Sequence, residues 1–386
     1  MNTLSSYNSL SMDIFTTPQG QFHLSRFPKR AKEALRAWDA ADEYLLQTID
    51  EQKLIQSQPR ILLINDSFGA LATALAEQQP TAVSDSYLAH QGTIANLQAN
   101  NIDTDRVTLC DSLSWPNEKF DLVIIKIPKS LAMLEDQLHR LRPLLNQEAT
   151  IIASAMCKQI HSSTLKLFER IIGPTHTSLA KKKARLVFSQ FDQKLKIGES
   201  PYPKRYVLEG TEFTLTNHAN VFSRESLDIG TRFFLAHLPE NIGKGKIIDL
   251  GCGNGVVGLI AAQRNLQATV QFVDESYMAV RSAQEGFLAA FPQREAQFAV
   301  MDCLRKIEQA SVDTVLNNPP FHQNNVVGDH IARQMFKQSY RALKKGGELW
   351  VIGNRHLSYH VKLKKLFGNC QVIATNKKFA ILKSVK

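Results

Sequence analysis

Cysteine is scarce and unpaired in this chain: Cys110, Cys157, Cys252, Cys303 and Cys370 are scattered along 386 positions and never form C-x-x-C. That excludes a disulfide framework and a thiolate zinc cluster, so the five read as ordinary thiols and no metal is expected. Long apolar runs are missing too. No uninterrupted stretch would span a bilayer, and the opening "MNTLSSYNSLSMDIFTTPQG" lacks the basic-then-apolar pattern of a secretory leader. A cytoplasmic protein is expected. With 44% hydrophobic and 21% charged residues, nothing points to disorder, and the length suffices for two separate cores.

Acids are in deficit, 36 against 46 Lys and Arg, which leaves a formal net charge of +10. A basic chain without a membrane signal fits a polyanionic partner. The bases cluster as Lys181, Lys182, Lys183 and Arg185 in "AKKKARLVF", and as Lys194, Lys196, Lys204 and Arg205 in "KLKIGESPYPKRY". A third group, Lys362, Lys364 and Lys365, lies in "HLSYHVKLKKLFG". Any one cluster is ordinary solvated surface; as a set, with Tyr202, Tyr206 and Tyr359 interleaved, they describe a phosphate-binding face.

The chain also repeats itself. "RILLINDSFGALA" from Arg60 runs parallel to "KIIDLGCGNGVVG" from Lys246, "VSDSY" to "VDESY", and "DLVIIKIPKS" from Asp121 to "DTVLNNPPFH" from Asp313. Upstream, "DAADEYLL" from Asp39 matches "DIGTRFFL" from Asp228. Each half alternates apolar strand, turn and helix, which predicts a doubly wound α/β domain with a mostly parallel twisted sheet. Two such domains are expected, 1–198 and 199–386, the boundary falling in the polar, proline-bearing stretch. The ending "CQVIATNKKFAILKSV" predicts an antiparallel hairpin at the sheet edge.

The copies diverge where chemistry would sit. Gly251, Cys252 and Gly253 of the second half face Asn65, Asp66 and Ser67 of the first, and Asn318-Pro319-Pro320-Phe321 faces Lys126-Ile127-Pro128-Lys129. "DLGCGNGVVG" follows a strand and opens a helix, where glycines admit a ligand close to the backbone. Gly253, Gly255 and Gly258 fit G-x-G-x-x-G, and Asp274 ends the next strand, so a dinucleotide enzyme fits as well. Two features separate the readings. Asp249, ahead of the first glycine, suits a cationic ligand better than a pyrophosphate. The stiff Asn318-Pro319-Pro320-Phe321 turn has no use in a dehydrogenase.

Asp-x-Gly-x-Gly, the acidic strand end, Asp302 with Cys303, and Asn-Pro-Pro-Phe resemble the class I methyltransferases that modify exocyclic amino nitrogens. The duplicated layout, "FSRESLDIGTRFFL", "NPPFHQ" and "NRHLSYHVKLKKLFGNC" are similar to the bacterial ribosomal RNA guanine-N2 methyltransferases, and more to their large-subunit branch than to the small-subunit one. The resemblance runs from "LSRFP" to the end. It implies S-adenosylmethionine as cofactor, the N2 amine of a guanine in 23S ribosomal RNA as target, and a degenerate first domain that helps recognise RNA. A monomer is expected.

By the same resemblance Asn318, Pro319, Pro320 and Phe321 are catalytic. Asn318 and the Pro319 carbonyl would accept from the target amine, and Phe321 would stack on the flipped base. Asp249, Gly251, Cys252, Gly253, Asn254, Gly255, Asp274, Asp302 and Cys303 would surround the cofactor, with Phe222, Ser223, Gly230 and Thr231 closing over it. His322, Lys126, Lys129, Lys181, Lys182, Lys183, Arg185, Lys204 and Arg205 would meet RNA. From the residues alone, Asp302 also fits a helix cap, Phe222 a core position, and Cys252 and Cys303 small packing residues. A DNA adenine or protein glutamine methyltransferase, or a non-catalytic assembly factor, stays open at this point.

Overall fold

Apolar runs separated by turns build, in each half, a seven-stranded sheet of the same topology. The structure is a computed structural model that describes residues 13–30, 33–320 and 326–386, with backbone alone at 326–328. It divides into two units, Met1–Ser200 and Pro201–Lys386. In the second, the strands in chain order are Lys246–Leu250, Thr269–Asp274, Gln297–Val300, Val312–Asn317, Leu343–Asn354, Gln371–Thr375 and Phe379–Val385. Across the sheet they lie third, second, first, fourth, fifth, seventh, sixth. The first five are parallel, and the seventh runs antiparallel between the fifth and the sixth, so the expected terminal hairpin is present.

The first unit reproduces this order with Ile61–Ile64, Thr81–Ser84, Thr108–Asp111, Phe120–Lys126, Leu145–Met156, Thr175–Thr177 and Ala184–Gln190. Even the register agrees: Ile64 stands beside Ile125 as Leu250 stands beside Asn317. Each sheet follows a separate two-stranded hairpin, Asp13–Thr17 with Gly20–Leu24 in one unit and Lys204–Val207 with Thr214–Asn217 in the other. A helix comes next, Ala40–Glu51 or Ile229–Leu235, with Asp39 or Asp228 accepting from the amides of its first turn.

Both faces of the second sheet are buried, which is why its strands read as nearly unbroken apolar runs. Ile247, Leu316, Trp350 and Ile352 pack on one side with Phe234, Leu259 and Phe287. Their neighbours Ile248, Val315, Leu349 and Val351 pack on the other with Phe336 and Leu363. The first and fourth strands lie side by side while their connections leave in opposite directions, so their carboxyl ends open a crevice. No helix among the described residues is long and apolar enough to cross a membrane.

Candidate active site

The glycine turn follows the first strand of the second unit at this crevice. Gly251 and Gly253 have φ of +72° and +52°, and a Cβ on Gly253 would meet nothing within 4 Å. Backbone there is left-handed with open space before it, as a close-lying ligand requires. At Gly255 and Gly258 the side-chain position is taken up by packing: a Cβ would come within 2.6 Å of Ala283 or 2.3 Å of Phe272. Asn254 ties the turn to the preceding hairpin, donating to Asn217 Oδ1 at 3.0 Å.

Asp249 is buried beneath the turn and accepts from the Gly258 amide at 2.8 Å. Burial pushes its carboxyl up to about 8; the Gly258 N–H opposes the rise and Asp274 adds to it. Asp274 closes the turn from the next strand, accepting from Gly253 N at 3.0 Å and Ser276 N at 3.1 Å. Beyond the third strand, buried Asp302 accepts from Gln334 Nε2 at 2.7 Å and pairs with Arg305 at 3.7 Å. Burial holds the thiols of Cys252 and Cys303 well above the usual cysteine range, with Asp274 adding at Cys252 and Asp302 at Cys303. Neither is a nucleophile in this state.

On the facing strand end, Asn317 Nδ2 donates to Leu250 O at 2.9 Å and fastens the two sides of the crevice together. The next residue, Asn318, donates through Nδ2 to Thr231 Oγ1 at 3.1 Å. That bond turns the amide so that Oδ1 is buried with no hydrogen-bond partner among the described residues. Such an orphan acceptor costs about 1–3 kcal/mol, which a fold retains where the atom has other work. Thr231 is held in turn by Asp228, whose Oδ2 accepts from its amide at 3.0 Å, a helix cap that the sequence reading passed over although an Asp immediately before a helix start is its signature. Gly230 lies against the Phe379 ring.

The remaining expected residues are placed unevenly. Phe222 is 69% exposed, against the core position its periodicity suggested, and Ser223 beside it has φ +55°. Phe321 and His322 lie outside the described residues. Lys129 and Lys183 are exposed. Lys182 pairs with Glu43 at 2.8 Å, Lys181 reaches Gln47 and the Tyr44 ring, and Lys204 pairs with Glu225 at 2.7 Å. Half-buried Arg185 and exposed Arg205 project from strands.

Lys126 is a correction. Its ammonium lies 2.6 Å from Asp42 and 3.0 Å from Asp39, where burial disfavours the charge but the two carboxylates outweigh it and raise its pKa. It is committed inside its own unit and unavailable to phosphate. Lys126 aligns with Asn318, and Asp42 with Thr231, so an ion pair stands where the second unit has its amide-to-hydroxyl bond.

A glycine cradle above a buried acid, two further acidic strand ends and an oriented amide across the crevice define a class I S-adenosylmethionine-dependent methyltransferase. The methyltransferase small domain model matches residues 212–383, and the RLMG N-terminal domain model residues 12–193. Ribosomal RNA large subunit methyltransferase G of Streptomyces griseus subsp. griseus is 51% identical over 383 residues, with 97% of this chain and 100% of that one covered. Its Pectobacterium atrosepticum counterpart is 50% identical over 366 residues, covering 94% and 96%. The chain belongs to the ribosomal RNA large subunit methyltransferase G family and is a ribosomal RNA methyltransferase. Its fold is also that of the T. thermophilus 16S rRNA N2 G1207 methyltransferase in complex with AdoMet and guanosine, with TM-score 0.74, 20% identity, and 97% and 98% of the chains covered. The nicotinamide reading falls away. Among the described residues no cluster of His, Cys, Asp and Glu could hold a metal.

Proposed function

We propose that the second unit methylates the exocyclic N2 amine of a guanine in 23S ribosomal RNA, guanine 1835 by family resemblance. The observation that carries this reading is Asn318, whose Nδ2 is fixed by Thr231 while its buried Oδ1 lacks a partner among the described residues. An aromatic amine conjugated to its ring is a weak nucleophile. Asn318 Oδ1 and the Pro319 carbonyl accept its two hydrogens, hold the lone pair toward the methyl donor, and stabilise positive charge as it develops on nitrogen. The prolines keep that carbonyl from swinging away. The proton then leaves to solvent, since a methylated amine carrying positive charge is strongly acidic. Phe321 and His322 complete the reading by resemblance, as a stacking ring and an RNA contact.

S-adenosylmethionine supplies an electrophilic methyl group when bound. The open backbone at Gly251 and Gly253, with Cys252, Asn254 and Gly255, would line its methionine end, and Asp249 beneath them provides the negative charge for a cation. Asp274 would hold the ribose, with Asp302 and Cys303 at the adenine. Phe222, Ser223, Gly230 and Thr231 would form the covering edge. Residues 199–386 would thus be the catalytic domain and 1–198 an RNA-recognition domain offering Lys129, Lys181, Lys182, Lys183 and Arg185, joined by Lys204 and Arg205.

The test is to incubate the protein with labelled S-adenosylmethionine and deproteinised ribosomal RNA and digest to nucleosides. Label in N2-methylguanosine, falling by about 10²-fold or more in Asn318→Ala, is expected. Label in N6-methyladenosine, or an undiminished rate in that variant, would refute the reading.

A further inference from the structure

Asn354 ends the fifth strand of the second unit, beside the Asn318 turn, and nothing above gives it a task. It is buried at 6% exposure, and its Oδ1 has no hydrogen-bond partner among the described residues. The backbone around it is locked. Asn354 pairs with Phe379 on the antiparallel seventh strand, Arg355 N donates to Lys378 O at 3.0 Å, and Gly353 lies so close to the Tyr359 ring that a Cβ would stand 2.5 Å from it.

Strand alternation sets the direction of the side chain. Trp350 and Ile352 join the core layer that holds Leu316 and Phe234, so Asn354 continues on the face of helix Ile229–Leu235. Asn318, two residues past Leu316, is on that face as well and touches the helix at Thr231. Phe379, the strand partner of Asn354, lies against Gly230 at the start of the same helix. Because Asn317 is in register with Val351, Asn354 stands two residues beyond the neighbour of Asn318. At ordinary strand spacing and rise the two Cα atoms are roughly 8 Å apart, a separation that a nucleobase edge between converging side chains fills. Two orphan carbonyl oxygens thus border one crevice.

We propose that Asn354 is a specificity residue whose Oδ1 accepts from N1–H of the target guanine. This rests on the guanine-N2 reading above. Guanine presents N1–H beside its N2 amine, so a third acceptor next to Asn318 Oδ1 and the Pro319 carbonyl matches a run of donors. Adenine presents an acceptor at N1, and it would face Asn354 with two lone pairs opposed. A site built to receive a hydrogen bond rejects a substrate that cannot give one, because its buried acceptor is left unpaired.

The test compares two RNAs that carry guanine or 2-aminopurine at the methylated position; 2-aminopurine keeps the N2 amine and lacks N1–H. Wild type, Asn354→Ala and Asn354→Asp are assayed for kcat/KM, and calorimetric S-adenosylmethionine binding checks the fold. Wild type should prefer guanine by about tenfold to a hundredfold. Asn354→Ala should lose that preference, slowing guanine while 2-aminopurine reacts at least as fast as with wild type. Asn354→Asp, which keeps an accepting oxygen, should retain the preference. Equal slowing of both RNAs by Asn354→Ala would make the residue merely structural and overturn the assignment, as would an unchanged preference. Wild type that labels N2 of neither RNA would instead overturn the guanine-N2 reading, and this assignment with it.

Discussion

Replacing Asp249 by asparagine isolates a single charge. The amide oxygen can still accept from the Gly258 N–H, which lies 2.8 Å from the carboxylate in the wild type, so only ionisation is removed. In the folded protein burial raises this carboxyl from its ordinary 3.8 to about 8. A folded pKa above the unfolded one means that the wild type has its full stability below about pH 4 and loses part of it as pH climbs from there through 8. At about 1.4 kcal/mol per pH unit the upper bound on the loss is roughly 6 kcal/mol. Relaxation around a real buried charge reduces that, and about 2 kcal/mol, or 4–8 °C for a unit of this size, is expected. The variant has nothing to ionise and escapes the loss.

Scanning calorimetry on the full chain from pH 4 to 9 reads the difference, the second unit's transition being the one that S-adenosylmethionine raises. The Asp249→Asn substitution should leave stability unchanged at pH 4 and increase it progressively up to about pH 8.5. Cofactor binding should move the other way. A cation drawn to Asp249 lowers its pKa, so wild-type binding releases a proton at neutral pH and tightens between pH 6 and 8, while Asp249→Asn binds weakly with little pH dependence. A variant less stable than wild type at pH 8, or wild-type binding without proton release, would show that Asp249 is already ionised and satisfied in the free fold.

The two kinds of glycine should separate cleanly. Gly253→Ala has space for its Cβ and strains only φ, at about 1–2 kcal/mol, so it should fold and bind S-adenosylmethionine at least tenfold more weakly by calorimetry; Gly255→Ala, 2.6 Å from Ala283, should fail to fold or lose several kcal/mol by urea melt. Thr231→Val frees the Asn318 amide and should lower kcat about tenfold, whereas Thr231→Ser should restore the rate. Lys126→Met strands two carboxylates and should destabilise the first unit by about 3–5 kcal/mol in urea, with the second unit's cofactor affinity unaltered.

Features carried by local pattern were legible without coordinates. The duplication, the sheet with its terminal hairpin and the switch-point turn all follow from strand periodicity and from which residues the copies keep, and the matched register at Leu250 with Asn317 is its structural form. What escaped depended on contacts between distant segments. Lys126 reads as one more base until the helix starting at Ala40 brings Asp39 and Asp42 against it, 87 and 84 positions earlier in the chain. Asn354 stands at the end of an apolar strand, and only the crevice around it distinguishes its amide from an ordinary strand terminus. Phe222 follows a buried Val221 and so fits a core pattern, yet the turn at Ser223 leaves its ring in solvent.

The acid before the glycine turn also changes in meaning. It argued for a cationic ligand, but the first unit, which has lost those glycines, keeps an acid in the same job. Asp66 accepts from Ala70 N at 3.1 Å and Ala72 N at 2.8 Å, and Ala72 aligns with Gly258, whose amide Asp249 receives. The two carboxylates start from different positions, Asp66 within the turn and Asp249 within the strand, and reach the same helix amide. An N-terminal helix end favours negative charge whether or not a ligand binds. An acid that receives this helix amide is thus common to both units, so its presence alone does not mark a cofactor site, and what sets the second unit apart is the open backbone of Gly251 and Gly253 together with Asn318. In the first unit a left-handed Asn65 stands at the Gly251 position, and its side chain donates to Lys126 O at 3.0 Å and to Gln137 at 2.8 Å. The backbone shape persists there while side chains fill the approach. A methyl-transfer site thus consists, on this scaffold, of what has been left out as much as of the groups that remain.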